Sequence, residues 1–134
     1  MKGGLIIKLG PNERVLINGA VVENGDRRTR LSIRTPQANI LRLSDAMHPD
    51  AATTPVARAV YNAQLLLTGD IAPAKGRADC LIDIEHLSQV FTDPDSRRLL
   101  AAATEALLNE NDYQAFRALR DLLPREARVL ASRH

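Results

Sequence analysis

The chain changes its hydrophobic period near residue 50, and that change limits the fold more than any other feature. Before it, apolar residues come in runs of three to five, separated by turn signals. After it, they recur every three or four residues over long stretches. Short runs between turns read as half-buried strands, and the longer period reads as amphipathic helix. Strands followed by helices, without alternation, give an α+β chain. The expected boundaries are a β subdomain over 1–48 and a helical subdomain over 49–134.

In the first part, Leu5-Ile6-Ile7-Lys8-Leu9 is a strand and Gly10-Pro11-Asn12 a turn. Val15-Leu16-Ile17 and Ala20-Val21-Val22-Glu23 flank Asn18-Gly19, a dipeptide that tolerates positive φ and closes hairpins. Asn24-Gly25-Asp26 reads as a second turn of the same chemistry. A longer strand, Arg27 to Arg34, ends at Thr35-Pro36, and Ile40-Leu41-Arg42-Leu43 makes the last one. The expectation is a five-stranded antiparallel meander or barrel.

The second part predicts three to five helices. Thr53 or Thr54 caps the first, with Pro55 in its first turn and Gly69 at its end. Pro73 and Gly76 place Ile71 to Asp79 in a loop. Cys80 to Val90 is a helix, with Leu81, Ile84 and Leu87 at three-residue spacing. Asp93-Pro94 opens another helix to about Asn109. Asn111 or Asp112 caps the next, with Tyr113, Phe116, Leu119 and Leu123 facing inward. Pro124 either breaks that helix or starts a short one to Ala131, after which the chain is expected to fray.

Charge is uneven. Residues 1–50 hold eight Lys/Arg and five Asp/Glu, whereas 51–134 hold ten and eleven. The excess sits in Arg27-Arg28-Thr29-Arg30-Leu31-Ser32-Ile33-Arg34. Strand alternation puts Thr29, Leu31 and Ile33 on one face, toward the core, and Arg28, Arg30, Ser32 and Arg34 on the other. Neighbours in that row lie roughly 7 Å apart. Such a row can follow a phosphate backbone, each guanidinium able to grip a phosphate with two N–H groups. The plainer alternative is a charged outer face that keeps the sheet soluble and blocks edge pairing. A solubility face mixes signs, and this row contains no acid. A local basic patch on a chain of net charge +2 points to a polyanion contact. Aromatics are only 3% of the chain, which argues against recognition by base stacking.

No catalytic constellation is visible, so the chain is not read as an enzyme. His48, His86 and His134 lack metal-ligand spacing, and Gly3-Gly4 is not a phosphate loop. Asp83 and His86 stand one helical turn apart and are expected to form an exposed ion pair. Arg117 and Asp121, at i and i+4, are expected to pair in the same way. Arg120, Arg125 and Arg128 belong to helices expected to cover the sheet or to meet a protein. A single cysteine, Cys80, precludes an internal disulfide and suits a reducing cytoplasm. No apolar stretch approaches the ~20 residues of a membrane span, and the first residues lack a signal-peptide pattern. The chain is therefore expected to be cytoplasmic and to need no cofactor.

The string from Leu16 through Asn18-Gly19 and Asn24-Gly25-Asp26 to Thr29 closely resembles the FlbT family of flagellum biosynthesis repressors. So does Ala52-Thr53-Thr54-Pro55-Val56-Ala57-Arg58-Ala59-Val60-Tyr61, and the similarity spans nearly the whole chain. This resemblance implies a post-transcriptional regulator. It would bind the 5′ untranslated region of flagellin mRNA, repress translation or promote decay, and act with or against a second flagellar protein, FlaF. Some members of the family act as activators instead. The N-terminal half is also similar to the carbon storage regulator CsrA in its order of strands and turns, from Leu5-Ile6-Ile7 to Thr35-Pro36 and Ile40-Leu41-Arg42. That similarity implies RNA contacts from the first strand, where Lys8 is the basic residue, and from Arg42, with the register one residue off. The expected RNA-binding set is thus Lys8, Arg27, Arg28, Arg30, Arg34 and Arg42. A homodimer is open, and an alternative is a protein-binding adaptor or chaperone-like module for FlaF or flagellin.

Overall fold

The structure, a computed structural model, describes residues 5–132. Gly3-Gly4, the expected frayed end past Ser132 and His134 lie outside the described residues. The β half contains five strands: β1 (Leu5–Leu9), β2 (Arg14–Ile17), β3 (Ala20–Glu23), β4 (Thr29–Ile33) and β5 (Ile40–Arg42). They do not form one meander or a closed barrel. β1 pairs antiparallel with β4, and a separate sheet has the order β3-β2-β5.

The turns explain this split. Asn18 and Gly19 have φ of 49° and 86°, the two left-handed positions that close β2 onto β3. Asn24-Gly25-Asp26 lacks that chemistry, because neither Asn24 nor Gly25 has a positive φ. The Asn24 N–H instead donates to the Glu13 carbonyl, and the Asn12 N–H to the Gly25 carbonyl. These bonds prolong the β2–β3 hairpin past its last ladder pair. The chain then crosses to β1, so β4 starts at Thr29 rather than Arg27 and belongs to the other sheet. β5 ends at Arg42, one residue before the expected Leu43, which opens a short 3₁₀ turn. Ile7, Leu9, Val15, Ala38 and Ile40 form a small core in this half.

A linker with a second 3₁₀ turn at Pro49–Ala51 leads to the helices. Gln64 fixes it, donating to the Met47 carbonyl at 3.0 Å and accepting from the Met47 N–H at 2.7 Å. The five helices are α1 (Pro55–Thr68), α2 (Pro73–Val90), α3 (Pro94–Leu108), α4 (Asp112–Arg120) and α5 (Leu123–Ala131). Thr54 caps α1 by accepting from the Ala57 N–H, and Gly69 ends it with φ 81°. Asp93 and Asn111 cap α3 and α4 in the same way.

The expected loop at Ile71–Asp79 is largely helix. Pro73 stands in the first turn of α2, where its missing N–H costs nothing. Gly76 is buried where α2 meets α1, and a Cβ there would collide with the Leu66 side chain and lie 2.9 Å from Ile71 Cγ2. Both residues read as helix breakers therefore have positional roles. α4 stops at Arg120, so Leu123 starts α5 instead of ending α4, and Leu122 takes the fully buried position between them.

The main core lies among the helices, with Val56, Val60, Leu67, Phe116 and Leu119 at its centre. Tyr113 packs against both cores and joins the two halves. Glu126 of α5 is buried and accepts from the Val56 N–H at 3.0 Å and from Thr54 Oγ1, giving the start of α1 a carboxylate cap. Among the described residues, no helix is long and apolar enough to cross a membrane.

Candidate nucleic-acid interface

The β1–β4 register assembles the basic surface. Leu5 pairs with Ile33 and Leu9 with Thr29, which places Lys8 directly opposite Arg30 and Ile6 opposite Ser32. Ile7 and Leu9 point into the core, so Lys8 points out. Leu31 and Ile33 pack inward as expected, while Thr29, Arg30 and Ser32 are exposed. Two cations directly opposite on one face repel each other.

Lys8, Leu9, Gly10, Arg28, Thr29 and Arg30 line an open groove of about 350 Å³. Its wall contains three cations and no carboxylate. Asn24 sets its shape, donating through Nδ2 to the Gly10 carbonyl at 2.7 Å and to the Arg27 carbonyl at 2.8 Å. Thr29 Oγ1 also donates to the Arg27 carbonyl. The two strips of the groove, Lys8–Gly10 and Arg28–Arg30, are thereby held together at their ends. Asn24 reads in the sequence only as a turn residue, because its partners depend on the crossing between sheets.

The acid that contacts the groove-lining Gly10 is already engaged. Glu13 accepts from the Gly10 N–H at 2.9 Å and from Arg42 at 2.5 Å. The Gly10 N–H, then Arg42, hold its carboxyl below the usual glutamate range. Arg42 also donates to the Lys8 carbonyl at 2.8 Å, so it braces β1 against β5 and lines a different cleft.

Of the six residues expected to bind RNA, the groove unites Lys8, Arg28 and Arg30. Arg27 lies in the preceding bend, exposed and outside the groove lining. Arg34 follows the last residue of β4, roughly 13 Å along the chain from Arg30. Lys8, Arg27, Arg28, Arg30 and Arg34 make no salt bridge with a carboxylate among the described residues. Elsewhere Arg14 pairs with Glu23, Arg77 with Asp112 and Arg125 with Asp93 and Asp95. In the β half, the cations without a carboxylate partner among the described residues are thus those of β1, β4 and the segments flanking β4.

The other side chains singled out by the sequence lie outside this groove. Asp83 accepts from Asn62 at 2.8 Å and forms no pair with His86. Arg117 lies over the Tyr113 ring, 5.8 Å from its centroid, and makes no ion pair with Asp121. Cys80 is fully buried, and burial together with Asp83, Asp112 and Asp79 pushes its thiol up to about 12. Among the described residues, no group of three or more His, Cys, Asp or Glu side chains could hold a metal ion.

Fold and groove together define a small α+β protein with a carboxylate-free basic groove on its β half and a helical bundle behind it. A family model described as flagellar protein FlbT matches residues 5–130, and the chain belongs to that family. A Rhodopseudomonas palustris (strain TIE-1) protein named probable flagellum biosynthesis repressor protein FlbT is 33% identical over 128 residues, covering 95% of this chain and 98% of its own. The flagellum biosynthesis repressor protein FlbT of Caulobacter vibrioides (strain ATCC 19089 / CIP 103742 / CB 15) is 28% identical over 122 residues, covering 91% of this chain and 86% of its own. No solved structure matches the chain.

Proposed function

We propose that this protein is a post-transcriptional regulator of flagellin synthesis. It binds the 5′ untranslated region of flagellin mRNA and represses translation or promotes decay. The repressor names of its relatives support the regulatory role. The observation that carries RNA binding is the groove in which Lys8, Arg28 and Arg30 converge without a carboxylate. Such a groove attracts a phosphate chain and gives up little to internal neutralisation. Scarce aromatics favour backbone contact over stacking.

Fluorescence anisotropy with labelled flagellin leader RNA tests this reading. The Lys8→Ala/Arg28→Ala/Arg30→Ala protein should bind more weakly. Its salt dependence should flatten by about 0.7 in log–log slope for each phosphate no longer neutralised. Unchanged affinity and slope would remove the groove from RNA binding.

A second reading, an adaptor for FlaF or flagellin, draws on an open groove of about 450 Å³ between α2 and α3 that includes Leu81, Ile84, Leu100 and Ala101. Co-purification surviving high salt and ribonuclease would favour it.

A further inference from the structure

A second group of cations lies at the junction of the two halves, and the groove on β1 and β4 does not include it. Arg42, Arg117 and Arg120 share a cleft of about 280 Å³ walled by Leu5–Ile7 of β1, Ile40–Arg42 of β5 and one face of α4. Asp45 is the one carboxylate in its lining. Arg42 is engaged with Glu13 and the Lys8 carbonyl, as described. Asp45 contacts Arg120 at 3.4 Å, longer than a good charge-assisted bond. Arg117 is exposed and has no carboxylate partner among the described residues.

Both α4 arginines are held by rings. The guanidinium carbon of Arg117 is 5.8 Å from the Tyr113 centroid, and that of Arg120 is 5.7 Å from the Phe116 centroid. Stacking on an aromatic face restrains the plane of a guanidinium but leaves its in-plane N–H groups free. A guanidinium so restrained loses less freedom when it grips an anion. The cleft and the first groove draw on successive stretches of one strand. Leu5–Ile7 of β1 line the cleft, and Lys8 and Leu9 of β1, with Gly10 just after it, line the groove. Ile6 and Leu9 are about 10 Å apart at the usual strand rise.

We propose that this cleft is a second seat for the same RNA strand, in which Arg117 and Arg120 hold a phosphate while Lys8, Arg28 and Arg30 hold the strand on the β surface. The proposal rests on the RNA-binding reading above. It makes the helical half a part of the nucleic-acid surface, with α4 setting the path of the strand between β1 and the bundle. A short oligonucleotide occupies the β groove alone, and only a longer strand reaches both seats.

The test uses the full chain, a labelled flagellin leader RNA and a labelled dinucleotide taken from it, whose single step of about 3.4 Å when stacked is too short to bridge the two seats. Arg117→Gln/Arg120→Gln should weaken binding of the long RNA and lower its salt slope by about 0.7 for each phosphate released. Binding of the short RNA should not change. Arg117→Lys, which keeps the charge, should retain most of the slope that Arg117→Gln removes. Equal thermal midpoints exclude unfolding as the cause. If the wild type binds RNA and the double variant binds both lengths equally well, the second seat is wrong and the groove stands. An equal loss for both lengths also overturns it. If the wild type binds neither RNA, the underlying reading falls.

Discussion

Lys8 and Arg30 face each other across β1 and β4, and their Cβ atoms are expected to lie about 5 Å apart. Like charges so placed oppose folding, and no carboxylate among the described residues pairs with either. A surface shaped by stability alone would place a neutral or opposite charge at one of the two positions. Arg30→Thr should therefore raise stability by a few tenths to about 1 kcal/mol in urea unfolding while weakening RNA binding. A variant that loses stability and keeps its RNA affinity would show that Arg30 is structural. The outward row of Arg28, Arg30 and Ser32 was legible from strand alternation alone. The approach of Lys8 to Arg30 was not, since it depends on pairing register between strands more than 20 residues apart. Nor could the sequence show that Arg42 would meet Glu13, or that Asn24 would tie the groove's two strips together.

At the scale of elements, local signals were read well where capping chemistry decides them. Thr54, Pro55 and Gly69 bound α1, Asp93 opens α3 and Asn111 opens α4 as expected. Local reading failed at the first turns of α2, where Pro73 and Gly76 looked like breakers. Gly76 is small because Leu66 and Ile71 occupy the space beside it. In an exposed helix Gly→Ala is worth about 1 kcal/mol of added stability. Here the overpacking cost of roughly 1–3 kcal/mol should outweigh it, because Leu66 is itself buried. Gly76→Ala should thus lower the urea midpoint, and a gain of the full helix-propensity amount would contradict this packing. The Glu126 cap on α1 was equally invisible in the sequence, since its partners lie about 70 residues earlier.

Across the whole molecule, the division into strands and helices near residue 50 followed from hydrophobic period, and five strands were recovered. Their arrangement in two sheets was not. It is decided by the crossing from β3 to β4, which Asn24 stabilises through contacts distant in sequence. Arg42 then braces the sheets against each other by donating to the Lys8 carbonyl, and Glu13 holds Arg42 while accepting from the Gly10 N–H just past β1. Because the carboxyl of Glu13 is lower in the folded protein than its ordinary value of 4.5, it stabilises the fold above that value. That contribution disappears as pH falls through the lower folded value. Acid titration of thermal stability should show this loss, and Glu13→Gln should flatten the curve over the same range. A curve identical to wild type would detach Glu13 from the sheet junction.

The groove on β1 and β4 as the seat of an RNA strand is tested most directly by following backbone amide shifts in ¹⁵N-labelled protein during titration with flagellin leader RNA. The largest changes should fall on Lys8, Leu9, Gly10, Arg28, Thr29 and Arg30, and should diminish as salt is added. Saturable changes confined to α2 and α3, with Lys8 to Gly10 and Arg28 to Arg30 unmoved, would contradict it.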